Sequence, residues 1–247
     1  MGFAESVPWL SDFAKRAGLR YEPDADERWF RAWEPFATLR VPVHYTHALH
    51  ATTTDGYASI SIARMAVTVK HWGTQMPTET EVRAWVAIVQ DARIDSVIQP
   101  STGAVAVTSD RGSPFAEPLD LVTLPRQRMG DPAFDAVFAS FAKVSLSERP
   151  SPISKSLRKL LLSWGVPVHA ELRPGGFVLC APLLPADPAS VSWLVTASGI
   201  FGEKAIDVPR GTQREKIRDV FLVPHHSESI SVYPPVIDAA WWADYII

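Results

Sequence analysis

Ser151-Pro-Ile-Ser-Lys-Ser-Leu-Arg-Lys-Leu-Leu-Leu-Ser-Trp-Gly165, continued by Val166-Pro-Val-His-Ala-Glu-Leu-Arg-Pro-Gly-Gly-Phe-Val-Leu-Cys180-Ala-Pro-Leu-Leu184, reads as one helix followed by one β-hairpin. Ile153, Leu157, Leu160, Leu161 and Trp164 recur at the interval that places them on a single helical stripe, and Lys155, Arg158 and Lys159 take the opposite side. Ser151 is expected to cap this helix, with Pro152 at its first position, where a missing N–H costs nothing. Gly165 stands where a left-handed stop is wanted. Arg173-Pro-Gly-Gly176 then supplies turn chemistry between two alternating runs.

With Pro174-Gly175 at the centre of the turn, Leu172 faces Phe177 and His169 faces Cys180. Alternation sorts the faces. Val166, Val168, Ala170 and Leu172 join Phe177, Leu179, Ala181 and Leu183 on an apolar face, while His169, Glu171 and Cys180 share the other, turned away from the interior.

The same devices recur outward along the chain. Residues 6–17 form a short amphipathic pattern with Trp9, Leu10 and Phe13 inward. Asp24, with Glu27 as capping box, opens a second helix carrying Trp29, Phe30 and Trp33. Residues 39–51 and 57–69 are strand-like runs joined through Asp55-Gly56, a hairpin signal. Residues 76–81 read as polar connection, and 85–89, 104–108 and 119–124 as further strands. Asp131-Pro132 starts a single helical turn leading into a strand near 137–141. Asp187-Pro188 opens a helix with Val191, Leu194, Val195, Ser198 and Phe201 inward. Strands do not alternate regularly with long helices, so a doubly wound parallel fold is excluded in favour of α+β: antiparallel hairpins with helices packed on one side. Residues 1–206 are expected to form one domain, with a possible subdivision near 125–130, followed by a linker, a short helix and an aromatic tail over 207–247.

Gly130-Asp-Pro-Ala-Phe134-Asp-Ala-Val-Phe138, then Ile153-Ser-Lys-Ser-Leu157-Arg-Lys-Leu160-Leu161 and a hairpin, resembles an uncharacterised bacterial domain family, usually membrane-associated. In that family an acidic-x-x-Phe-Asp-x-x-Phe segment precedes a Leu-Thr-Pro-x-Leu-x-x-x-Leu helix and a strand pair. The resemblance spans residues 130–205; Lys155 replaces the usual proline, and the family's membrane helices are absent. It implies architecture and no chemistry.

Composition narrows the function classes. The net charge of −3 carries no polyanion signal, and Lys155, Arg158 and Lys159 form the best basic patch, so nucleic acid is not an expected partner. Cys180 is the one cysteine, which excludes an intrachain disulfide and fits a reducing, cytoplasmic setting. The first ten residues lack the basic region and long apolar core of a signal peptide. Neither Gly199-Ile-Phe-Gly202 nor the turn glycines have phosphate-loop spacing, and no Gly-x-Ser-x-Gly, His-Glu-x-x-His or paired-cysteine motif occurs, so no cofactor and no metal are expected.

Two constellations contain reactive groups. Cys180, His169 and Glu171 are a thiol, an imidazole and a carboxylate, the ingredients of an activated cysteine nucleophile. A buried cysteine also serves simply as a small apolar filler. His44, His47 and His50 are rejected as a metal site: strand alternation turns His47 away, opposite Arg64, and leaves the other two on one face about 20 Å apart. His225-His226 diverge and lack a completing carboxylate.

Nine tryptophans are a heavy load. Trp241, Trp242, Tyr245, Ile246 and Ile247 follow a proline-broken polar tail, and exposed they would form an adhesive patch. This terminus is expected to dock, on its own domain or on a neighbouring chain. Asp238 and Asp244 flank it in place of lysines, against membrane attachment. The expected function is a non-catalytic structural or protein-interaction module, with a small cysteine enzyme as the alternative.

Overall fold

The computed structural model describes residues 6–25, 28, 30, 44–52, 58–72, 77–98, 103–109, 124–147, 151–182 and 184–206, the backbone alone at 44, 67–72 and 77–82. Nine strands build one sheet. They are β1 (Arg20–Glu22), β2 (His44–Thr52), β3 (Ala58–Trp72), β4 (Pro77–Asp91), β5 (Val105–Ser109), β6 (Arg126–Gln127), β7 (Phe138–Ala142), β8 (His169–Arg173) and β9 (Gly176–Ala181). Their order is β1-β2-β3-β4-β9-β8-β5-β7-β6, and every described pairing is antiparallel. The described helices are α1 (Pro8–Ala17), α2 (Pro132–Asp135), α3 (Lys155–Trp164) and α4 (Pro188–Ala205). The α+β architecture read from the hairpin signals is the one observed.

The hairpin that comes last in the chain among the described strands sits in the middle of the sheet. β9 pairs with β4 and β8 pairs with β5, so β8–β9 is inserted between two strands that are consecutive in the chain. A central strand pair is covered on both faces, and this decides the fate of its polar side chains.

One face carries the main core. Leu10 and Phe13 of α1, Leu157, Leu161 and Trp164 of α3, and Val191, Leu194 and Phe201 of α4 pack there against Ala170, Leu172, Phe177 and Leu179. Trp164 meets Trp193 edge-on at 5.5 Å between ring centroids, and Phe177 lies 4.9 Å from Phe201. The opposite face holds two smaller apolar clusters. Val178 and Cys180 belong to the one containing Phe30, Tyr45, Met65 and Val86; Ala106, Leu124, Ala139 and Phe141 form the other.

Local signals translate closely at most ends. Asp131 and Asp187 cap α2 and α4 by accepting from Phe134 and Ser190 N–H. Gly165 closes α3 at φ 67°, and Gly175 occupies the hairpin turn at φ 82°, both conformations that an L side chain resists. The turn is anchored: Gly175 N–H donates to Asp95 Oδ1 at 2.6 Å, and Asp91 N–H donates to the Gly175 carbonyl at 2.9 Å.

Three local expectations are corrected. α3 starts at Lys155, capped by Ser154, whose hydroxyl accepts from Leu157 N–H at 3.2 Å; Ser151 lies three residues upstream, ahead of a bend at Pro152 and Ile153. Residues 77–81 are strand, because the β3–β4 ladder continues beyond the core to Trp72↔Pro77. Backbone pairing needs no apolar side chain, so polar composition hid it. Lastly, β2 carries a bulge between Thr46 and Leu49, which puts Thr46 opposite Arg64 and breaks the parity assumed for His44, His47 and His50.

Most of the predicted second helix, the Asp55-Gly56 turn, residues 119–123 and the whole of 207–247 lie outside the described residues.

Candidate functional site

The hairpin register is the one read from the turn: Leu172↔Phe177 and His169↔Cys180. His169, Glu171 and Cys180 therefore do share a face. That face is not wet, since all three residues are wholly buried.

Their contacts divide the trio. His169 Nε2 lies 2.8 Å from Glu171 Oε1, and Arg173 Nε donates to Glu171 Oε2 at 2.8 Å, with Nη2 of the same guanidinium also on Oε2. Burial by itself pushes the Glu171 carboxyl up, but contact with the His169 ring and the Arg173 guanidinium outweighs it and holds the group below the ordinary range. Cys180 goes the other way. Burial, and secondarily the neighbouring Glu171 charge, push its thiol far up. A cysteine nucleophile works as thiolate, so this environment opposes the chemistry while suiting a small apolar filler in the cluster of Tyr45, Met65 and Val86.

The polar row His169–Glu171–Arg173 runs between the two apolar clusters of this face. Arg173 opens the turn and is also the third member of a His-x-Glu-x-Arg alternation, which puts it on the face of the other two.

A second arrangement crosses three strands and escaped the sequence reading. Ser61 Oγ lies 2.8 Å from His50 Nδ1, and His50 Nε2 lies 3.4 Å from Glu22 Oε2. Hydroxyl, imidazole and carboxylate thus stand in the order of a hydrolytic relay. Ser61, however, is a buried mid-strand residue, paired with His50 on one side and Ile88 on the other. The N–H groups around it are committed to those ladders and cannot cradle an oxyanion. Sequence offered no signal here, because the three residues meet only through strand pairing.

Nearby, Tyr21 Oη accepts from Val7 N–H at 3.1 Å and lies 3.0 Å from His47 Nδ1, with the two rings stacked. His47 is the non-glycine residue with positive φ among those described, at 57°.

The basic face of α3 is partly spent. Arg158 donates from Nε to Asp131 Oδ2 at 3.0 Å and from Nη1 to the Ile153 carbonyl at 2.8 Å. A wide-mouthed cleft of about 760 Å³ lies at the β6 edge, lined by Arg126, Arg128, Pro132, Asp135 and Phe138 among others. Asp135 is already engaged there by Met129 N–H at 3.0 Å.

Among the described residues no group of three His, Cys, Asp or Glu side chains is placed to hold a metal ion, and no helix is long and apolar enough to cross a membrane. The tail residues Trp241, Trp242, Tyr245, Ile246 and Ile247 lie outside the described residues. The chain matches no protein-family model, no curated protein and no solved structure.

Proposed function

We propose that this chain is a non-catalytic structural or protein-interaction module acting in the cytoplasm. Its contact surface for a protein partner or a second copy is the segment containing Trp241, Trp242, Tyr245, Ile246 and Ile247. The observation that supports a non-catalytic reading is the environment of Cys180: fully buried, set in an apolar cluster, with its thiol pushed up by burial. The adjacent His169 and Glu171 are engaged with each other and with Arg173, as expected of a structural ion network.

The competing cysteine enzyme at Cys180, His169 and Glu171 requires an exposed thiolate. The rate of modification of the native chain by a thiol reagent, followed against pH, separates the two. A slow reaction limited by chain opening supports the module. A fast one with an inflection well below the free-thiol value of about 8.5 overturns it. For the contact surface, removal of residues 239–247 should change solution mass or stability; a truncated chain unaltered in both dismisses the segment.

A further inference from the structure

We propose that His47 is an acid-released latch on the sheet edge: its neutral ring holds β1 against β2, and protonation lets residues 19–23 detach.

The edge strand is weakly held by length. β1 has three residues, paired with Ala48, Leu49 and His50, and a strand this short contributes few ladder bonds. Beyond the ladder, Glu22 reaches His50 Nε2 at 3.4 Å and Leu19 and Tyr21 pack on the main core, while three further contacts converge on His47. Its backbone N–H donates to the Pro23 carbonyl at 2.9 Å, just past the end of β1. Its ring stacks on Tyr21, with the centroids 6.3 Å apart. Val7 N–H can only donate, so Tyr21 Oη accepts it, and we assign the hydroxyl hydrogen to His47 Nδ1, the direction available to the tautomer with its proton on Nε2. That arrangement uses the neutral ring, with Nδ1 as acceptor. An imidazolium would place a donor there and leave the Tyr21 hydroxyl hydrogen without its acceptor.

The backbone is bent to achieve this. A histidine at φ 57° occupies a left-handed conformation that non-glycine residues seldom adopt, and the bulge at this position is what re-aims the ring toward Tyr21.

Among the described residues, the charge that acts on the ring favours its neutral form. Arg64 approaches from β3, its Cα partnered with neighbouring Thr46. On β1, Arg20 and Glu22 alternate to the other side, where they meet His50. Asp12, Lys15 and Arg16 of α1, Asp24 and Arg28 are exposed. Burial first, and Arg64 second, hold His47 below the ordinary imidazole range. The neutral ring therefore belongs to the docked state. Docking is complete above the detached value of about 6.5 and weakens as pH falls toward the docked value. Within that window the opening constant grows about tenfold per pH unit. His50 is also lowered, by burial and then Arg20, but Glu22 partly compensates a proton on it, so His50 is not the trigger.

Hydrogen exchange of the full chain at pH about 5 and about 7.5, corrected for intrinsic rates, tests the latch. Residues 19–23 should lose protection on acidification, by up to about tenfold per pH unit between about 6.5 and the docked value, while residues 176–181 keep theirs. His47→Asn keeps an acceptor near the Nδ1 position, tolerates positive φ and does not titrate, so it should abolish the loss. Tyr21→Phe should show weak β1 protection already at the higher pH. The latch is overturned by unchanged protection of 19–23 in the wild-type chain, by loss in step with residues 176–181, by a His47→Asn chain with the same acid response, or by a Tyr21→Phe chain indistinguishable from wild type.

Discussion

His169 and Glu171, two residues apart on one face of a central strand, meet at 2.8 Å with both side chains wholly buried. The pair is completed by Arg173 at the strand end, so a polar row lies under cover between two apolar clusters. Removing one partner from such a row leaves the others desolvated and uncompensated.

Glu171→Ala should therefore cost about 3–5 kcal/mol in urea unfolding, well beyond an ordinary surface change. The pH dependence follows the sign of its shift. The folded-state carboxyl titrates below the unfolded one, so its contribution is present above the ordinary value of about 4.3 and lost as pH falls through the folded value. Glu171→Gln should flatten stability against pH in that acid window. An equally steep acid limb in the variant assigns the effect to other carboxylates.

The two serines before α3 are expected to behave oppositely. Ser154 accepts from Leu157 N–H, and Ser154→Ala should cost about 1 kcal/mol. Ser151 Oγ is buried without a hydrogen-bond partner among the described residues, so Ser151→Ala should be neutral or slightly stabilising. Melting temperatures of the two variants, compared with wild type, check both signs at once.

Gly202 marks where α4 presses on the hairpin. A Cβ there would stand 3.2 Å from Cε1 of Phe177, whose ring is buried and braced by Phe201. Gly202→Ala gains about 1 kcal/mol of helix propensity but overpacks a ring that cannot swing away, at about 1–3 kcal/mol. Net destabilisation is expected, partly recovered in the double variant with Phe177→Leu. A fully additive double-mutant cycle would show that the two positions do not press on each other.

Much of the fold was legible because its signals are local. Asp131-Pro132 and Asp187-Pro188 write their own caps, Gly165 its own stop, and Pro174-Gly175 the register that sets His169 against Cys180. Where two local solutions compete, as at Ser151 and Ser154, sequence does not rank them, since the choice depends on Ile153 reaching the core ahead of the helix.

In β8–β9 the sequence alone determined which residues share a strand face, and at α2 and α4 where the helix begins, because those follow from a period of 2 and from cap chemistry. Only the tertiary structure decided what each face meets. Inserting β8–β9 between β4 and β5 turned a face expected to be open into a second interior, and so made His169, Glu171 and Cys180 wholly buried. The bulge that brings His47 to Tyr21, and the pairing that lines up Glu22, His50 and Ser61, likewise arise between strands distant in the chain. No single segment's pattern encodes such meetings; they exist only once long-range pairing has been made.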